Sequence, residues 1–188
     1  LKKKYGLPDK FLLYVGDVTW NKNLPRLVDA VKKAQLPLVM VGKSLVSEDY
    51  DKNNPWNADL NRVNELTKDD KNIMKLGFIS DEDLVQIYNI ATIFVMPSLY
   101  EGFGLPVLEA MACGCPVVAS FGNSLAEVGG EAVLYTDPHS INEIATAVDK
   151  LLNDQNLREE KIKAGLERVK NFSWAKTGAN TWEVISKI

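Results

Sequence analysis

Histidine and cysteine are nearly missing from this sequence. It has one histidine, His139, and two cysteines, Cys113 and Cys115, in 188 residues. Two cysteines cannot build the disulfide framework of a small secreted domain. They are separated by a single residue, too short for a zinc knuckle, and no second cluster adds ligands. They read as two small reduced residues packed where a helix meets a strand, and His139 sits apart in the turn TDPHS. Basic excess is also missing. Lys and Arg number 22 against 25 Asp and Glu, a net charge of −3. The one basic cluster is Lys2, Lys3 and Lys4, read as a frayed, solvated start, so a nucleic-acid-binding face has no support. Long apolar runs are missing too. Runs such as 11–15 and 116–119 are strand-sized, and none approaches the ~18 residues a membrane helix needs. No apolar core follows the opening LKKKYGLPDKF, so it is not a signal peptide. The first residue is not Met, and the chain reads as part of a longer protein.

What is present is ordinary for a soluble globular protein: 46% hydrophobic and 25% charged residues. The length fits one domain, residues 1–188, closing with helices over about 155–188. Short runs rich in strand formers alternate with helical patterns along nearly the whole chain. Strands are expected at 11–16, 37–42, 72–78, 92–98, 116–120 and 132–137. Leu24, Leu27, Val28, Val31 and Ala34 recur every three or four residues, marking an amphipathic helix over 23–35. Further helices are expected near 58–67, after Ser80, over 104–113, 124–128 and 141–153, and then over 155–171 and 174–187. Ser80 can cap a helix whose first turn is acidic, and Ser140 with Glu143 has capping-box spacing. The polar stretch 43–57 reads as a surface excursion. Continuous hydrophobic strands between helices predict an α/β fold with a doubly wound, mostly parallel, Rossmann-like sheet. Such sheets bind ligands at the carboxyl ends of their strands, so the residues just after each strand are the ones to read for chemistry.

The richest of these is SLYEGFGLPVLEAMACGCPVVAS, residues 98–120. Gly102 and Gly104 fall just past a strand, where backbone can approach a ligand closely. The amides of Phe103, Gly104 and Leu105 fall near a helix start, which suits an anionic or hydroxyl-rich ligand. Glu101 and Glu109, with seven residues between them, can accept hydrogen bonds from sugar and ribose hydroxyls. From spacing alone, an exposed loop and a solvated glutamate explain the pattern equally well. The Gly-x-Gly lacks the third glycine of a dinucleotide fingerprint, and no Gly-Lys-Ser/Thr sequence completes a phosphate loop.

The segment EGFGLPVLE resembles the E-x7-E motif of retaining glycosyltransferases of the GT-B architecture, family 4. YVGDVTWNKNLPRLVDAV, LGFISDEDLVQIYNIATIFVMPS, GCPVVAS, AVLYTDP and FSWAKT resemble that family's successive segments, in order, from about residue 10 to the end. The resemblance implies the C-terminal, donor-binding half of a two-domain enzyme that moves a hexose-type sugar from a nucleoside diphosphate sugar to an acceptor hydroxyl. It also implies an N-terminal acceptor domain outside this chain, a cytoplasmic setting, and peripheral contact with the inner face of a membrane through that domain. The envelope polysaccharides are the implied products, and no metal or other cofactor is implied.

By the same resemblance Lys22 holds the donor diphosphate, Glu109 the ribose, and Glu101 lies by the transferred sugar. Gly16, Gly102, Phe103, Gly104 and Leu105 line the donor. Gly77, Phe78 and Ile79 run along the base. Lys22 and Glu101 are then the catalytic pair. Asp17 departs from the pattern, since many members place an arginine there. Either its carboxylate turns aside to nearby amides, the preferred reading, or it faces the acceptor. Two other functions stay open: a sugar-nucleotide epimerase of the same architecture, and a non-catalytic sugar-nucleotide-binding subunit.

Overall fold

The structure, a computed structural model, describes residues 1–34 and 36–187. The elements in order are α1 (Lys2–Tyr5), β1 (Leu12–Val15), α2 (Leu24–Ala34), β2 (Leu38–Val41), α3 (Ala58–Thr67), β3 (Ile73–Leu76), α4 (Asp81–Ile90) and β4 (Ile93–Met96). They continue as α5 (Leu105–Ala112), β5 (Val117–Ser120), α6 (Asn123–Gly129), β6 (Val133–Thr136), α7 (Ile141–Asn153), α8 (Gln155–Arg168) and α9 (Trp174–Ile185). The six strands form one sheet, all parallel, in the order β3-β2-β1-β4-β5-β6.

Two-residue alternation sends each strand's side chains to two different cores. Leu12, Tyr14, Leu38, Met40, Ile93 and Val95 face α2, α3 and α7. Leu13, Val39, Val41, Phe94 and Met96 face α4, α5 and α6. All of these strand side chains are buried, which explains why the strands read as unbroken apolar runs. Cys115 packs in the second core as a free thiol, and burial pushes its pKa up to about 12, leaving it protonated and inert.

The strand order reverses between β1 and β4. There the ladder registers only Leu12 with Ile93 and Leu13 with Phe94, whereas β1 and β2 pair through all four residues. The two strands part at their carboxyl ends, so the crevice of the doubly wound sheet opens at this junction.

Three expectations need adjustment. Lys2, Lys3 and Lys4 are not frayed; they form α1, whose Lys4 ammonium and Tyr5 hydroxyl both bind the Asp83 carboxylate. Those two groups hold Asp83 below the usual carboxylate range, Lys4 contributing most. Ser140 caps α7 as expected, but Glu143 does not close the box on it. Its carboxylate accepts instead from the Asp137 amide, because the turn before α7 brings that amide within 3.0 Å. The helix expected over 155–171 ends at Arg168, and a single 3-10 turn follows at Val169–Asn171. Gln35, at the end of the helix expected over 23–35, lies outside the described residues.

Beyond β1 and β2 the chains come so close that only glycine fits. A Cβ on Gly42 would stand 2.2 Å from the Gly16 carbonyl oxygen. Gly102, by contrast, has open space around it. Gly42→Ala is therefore expected to cost about 2 kcal/mol or more in urea denaturation, as overpacking against backbone does. Gly102→Ala is expected to leave stability unchanged within ~0.5 kcal/mol. Equal midpoints for the two variants would contradict the close approach.

Candidate donor site at the strand ends

The turn after β1 and the loop after β4 are clasped across the splayed junction. The Leu99 amide donates to the Asn21 carbonyl at 2.7 Å, and the Asn21 side-chain amide donates to the Tyr100 carbonyl at 3.0 Å. Asn23, almost fully buried, adopts a left-handed conformation with φ 58°. Its side-chain amide donates to the carbonyls of Pro97 and Pro138, and Arg26 donates to its oxygen. Asparagine suits this position because it tolerates positive φ and carries both donor and acceptor.

Between these two asparagines stands Lys22. Its ammonium donates to both carboxylate oxygens of Glu101, at 2.8 and 3.0 Å. The Lys22 side chain is 20% exposed and that of Glu101 only 8%. A carboxylate that deep is tolerable because it is paired. The Glu101 backbone is held as well, since the Ser124 hydroxyl donates to its carbonyl and the Asn123 side chain to that of Leu99. Thus Lys22 and Glu101, 79 residues apart, meet at the point where the sheet reverses.

Phe103 and Gly104 lead directly into α5, which begins at Leu105 with Gly104 at its N-cap, φ 100°. A Cβ on Gly104 would stand 2.5 Å from Leu125 on α6, so glycine is required there for both conformation and space. The amides of Gly104 and Leu105 lie at the positive end of this helix. Glu109 is one turn further along, on the exposed outer face of α5. It does not touch the Lys22–Glu101 pair. Its partner is the Tyr88 hydroxyl of α4, which donates at 2.9 Å. Burial, with the nearby Glu109 charge, raises the Tyr88 pKa, so the phenol remains a donor. A groove of about 520 Å³ passes along this face, lined by Phe103, Leu105, Glu109, Phe172 and Trp174 among others.

Gly77, Phe78 and Ile79 directly follow β3. Phe78 is exposed, Ile79 is buried, and a Cβ on Gly77 would meet Val46 at 2.8 Å. Gly16 follows β1 with φ 150° and donates its amide to Val41. The donor-site residues singled out in the sequence therefore lie in the loops that follow β1, β3 and β4 or in the first two turns of α5.

Asp17 turns away from Lys22. Its Oδ1 accepts from the Ser44 amide at 3.2 Å and the Ser44 hydroxyl at 2.8 Å, while that hydroxyl accepts from Val18. A Gly-Lys-Ser sequence does occur, at Gly42-Lys43-Ser44, but Pro37 stands where a phosphate loop has its first glycine, and Ser44 is engaged with Asp17 and Val18 in the turn after β1. Two Asp-x-Asp spacings occur, at 49–51 and 81–83. Asp83 is taken by Lys4 and Tyr5, and Asp51 accepts from the Asn53 amide in its own turn.

Sequence reasoning missed Asn21, Asn23, Ser44, Tyr88, Asn123 and Ser124. The asparagines flanking Lys22 carried a signal, since Asn before an amphipathic helix commonly organises a turn. Tyr88 carried none, because it lies in an apolar helical stripe.

The sequence matches the family described as glycosyl transferases group 1 over residues 1–168. It is 37% identical over 179 residues to an O-antigen chain mannosyltransferase B of Escherichia coli, covering 92% of this chain and 45% of that protein. It is 33% identical to a serotype-specific mannosyltransferase of the same organism, covering 94% and 22%. The fold superimposes on a sucrose-phosphate synthase from Thermosynechococcus elongatus with a TM-score of 0.82 at 30% identity, over 99% of this chain and 47% of that one. It also matches the C-terminal domain of a glycosyl transferase group 1 family protein from Francisella tularensis, with a TM-score of 0.69, 26% identity, and coverage of 90% and 89%. The chain thus spans less than half the length of the curated relatives named here.

The Asp17–Ser44 contact sets a test of the preferred role of Asp17. Asp17→Ala is expected to destabilise the chain by about 1 kcal/mol in urea denaturation, comparable to loss of a helix cap. Asp17→Asn, which keeps an acceptor oxygen, should lose less than half of that. Equal losses would show that charge, and not the acceptor geometry, is what Ser44 needs.

Proposed function

The chain belongs to the glycosyl transferases group 1 family, and from that premise we propose that it is the donor-binding half of a retaining hexosyltransferase using a nucleoside diphosphate sugar. The observation that carries this reading is the Lys22–Glu101 pair at the strand-order reversal, beside the amide-lined start of α5. In this reading Lys22 and the amides of Gly102, Phe103, Gly104 and Leu105 take the diphosphate. Glu101, released from Lys22, accepts from the sugar hydroxyls. Glu109 accepts from the ribose hydroxyls, and Gly77, Phe78 and Ile79 flank the base, with Gly16 at the floor. A departing nucleoside diphosphate gains negative charge as the glycosidic bond breaks, and a positioned ammonium stabilises that charge. With protein donors at both sites, the reading calls for no metal.

Acceptor recognition is assigned to sequence outside this chain, given how little of the relatives' length it spans. Two relatives are named mannosyltransferases, one of them for an O-antigen chain, so mannose is the first sugar to test and a surface polysaccharide the first acceptor class. Among the described residues no helix is long and apolar enough to cross a membrane. A cytoplasmic, membrane-peripheral enzyme fits that reading.

Titration of this chain with UDP, GDP and ADP, followed by NMR, tests the donor site. One of the three is expected to bind with a Kd on the order of 0.1–1 mM, because half of the cleft wall is supplied elsewhere. Glu109→Ala should weaken that nucleotide by roughly 1–3 kcal/mol, yet leave its 2′,3′-dideoxy analogue unaffected. No binding of any of the three at 10-fold above that range would sink the proposal. Incubating the longer parent protein with labelled donor and acceptors separates transfer from epimerised donor or binding alone.

A further inference from the structure

The loop that carries Gly102, Phe103 and Gly104 is held from both sides by a closed chain of contacts that runs through the C-terminal segment. On one side α6 holds it. Asn123 and Ser124 donate to the carbonyls of Leu99 and Glu101, and Leu125 fills the space beside Gly104. At the other end of the same short helix, the carbonyls of Glu127 and Val128 accept from the guanidinium of Arg168, the last residue of α8. Gly130, beside that side chain, has a φ of 55°, which favours glycine.

The same guanidinium lies over the ring of Phe172, 5.2 Å from its centroid. A cation over an aromatic face is attracted by the ring's quadrupole. Phe172 in turn meets Phe103 edge to face, with centroids 6.0 Å apart and planes at 86°. This is the favoured geometry for two rings. The 3-10 turn at Val169–Asn171 is what swings Phe172 back under Arg168. The circuit runs from the loop through α6, Arg168 and Phe172 to Phe103, and so returns to the loop.

We propose that Arg168 and Phe172 are positioning residues that brace Phe103 and so fix the Gly102, Phe103 and Gly104 amides in the geometry that holds the donor. The inference rests on the donor-site reading above for its functional half, though the brace itself does not. Neither residue reaches Lys22 or Glu101. Two glycines flank Phe103, and without the ring contact the loop is fixed only at its ends. A loop of this kind orders on binding, and the ordering cost falls on ligand affinity. A braced loop has met that cost in advance.

The test uses the 188-residue chain, with Phe172→Leu, which keeps apolar volume but loses the ring, and Phe172→Tyr, which keeps both. Backbone 15N order parameters of Gly102, Phe103 and Gly104 are read in the free chain, and diphosphate affinity is read by NMR titration. In the unaltered chain and Phe172→Tyr the order parameters are expected near 0.85; in Phe172→Leu they should fall below about 0.6. Affinity should fall 5- to 10-fold in Phe172→Leu and recover in Phe172→Tyr. Arg168→Met should reproduce the loop mobility with Phe172 intact. Unchanged order parameters in Phe172→Leu would overturn the brace, whatever the ligand result. Mobile amides with unchanged affinity would overturn the positioning role while leaving the brace. If no diphosphate binds the unaltered chain, the donor reading and the positioning role fail together, and the order parameters still decide the brace. Loss of the folded amide spectrum in Phe172→Leu moves the decision to Arg168→Met, judged by the same two readouts.

Discussion

The Lys22–Glu101 ion pair is the contact on which the rest of this site depends. Glu101 is drawn into a nearly dry position in the loop after β4, where an unpaired carboxylate would be costly. Removing the ammonium alone would leave that charge uncompensated, a loss on the order of 3–5 kcal/mol. The pair therefore does two things. It lets the fold keep a carboxylate at the floor of the crevice, and it stores a cation where an anionic ligand would arrive. Asn21 and Asn23 fix its geometry by stitching the turn after β1 to the loop after β4. The incomplete ladder between those strands leaves the space above it open.

On the proposed reading, an exchange of partners is the chemistry this arrangement would perform. In the structure the partner of Lys22 is Glu101. A diphosphate would offer more charge than one carboxylate and, on that reading, would also meet the amides at the start of α5. Glu101 would then be free to meet hydroxyl groups, which a carboxylate can do only as an acceptor. Asp17 does not compete, because both of its bonds go to Ser44. The departure from an arginine at that position is thus absorbed into local turn structure, and the positive charge at the crevice rests on Lys22 and the backbone amides.

Much of the fold could be read from the sequence because the inner strands are buried on both faces and the helices that cover the sheet, such as α2 and α7, on one. The runs at 37–42 and 92–98 have no polar interruption, so neither periodicity nor length left a choice. Leu24, Leu27, Val28 and Val31 gave α2 for the same reason, and Ser80 marked the start of α4 through its bond to the Asp83 amide. The site was legible at the level of which loops matter, since ligand crevices of doubly wound sheets lie at strand ends. Its contacts were not. The Lys22–Glu101 bond joins residues 79 positions apart, and Tyr88 reaches Glu109 across two helices. Such pairs depend on strand order and helix rotation, which local patterns do not encode. The Lys2, Lys3 and Lys4 cluster misled in part for the same reason, because Asp83, the partner of Lys4, lies far along the chain. At the other end, α9 buries none of its side chains, so its apolar pattern predicted a helix correctly but not what it packs against.

The partner exchange can be tested by the sign of one substitution. Glu101→Gln removes an anion from the crevice and loosens its hold on Lys22, while keeping size and hydrogen-bonding capacity. Measured with the nucleoside diphosphate alone, so that no sugar contact enters, its affinity is expected to rise by about 3- to 10-fold over the unaltered chain, a gain on the order of 1 kcal/mol limited by solvent in an open crevice. Lys22→Met should move affinity the other way. A Glu101→Gln variant that folds normally yet binds the diphosphate more weakly would contradict the account, because it would mean that Glu101 helps hold the phosphates and does not compete with them for Lys22.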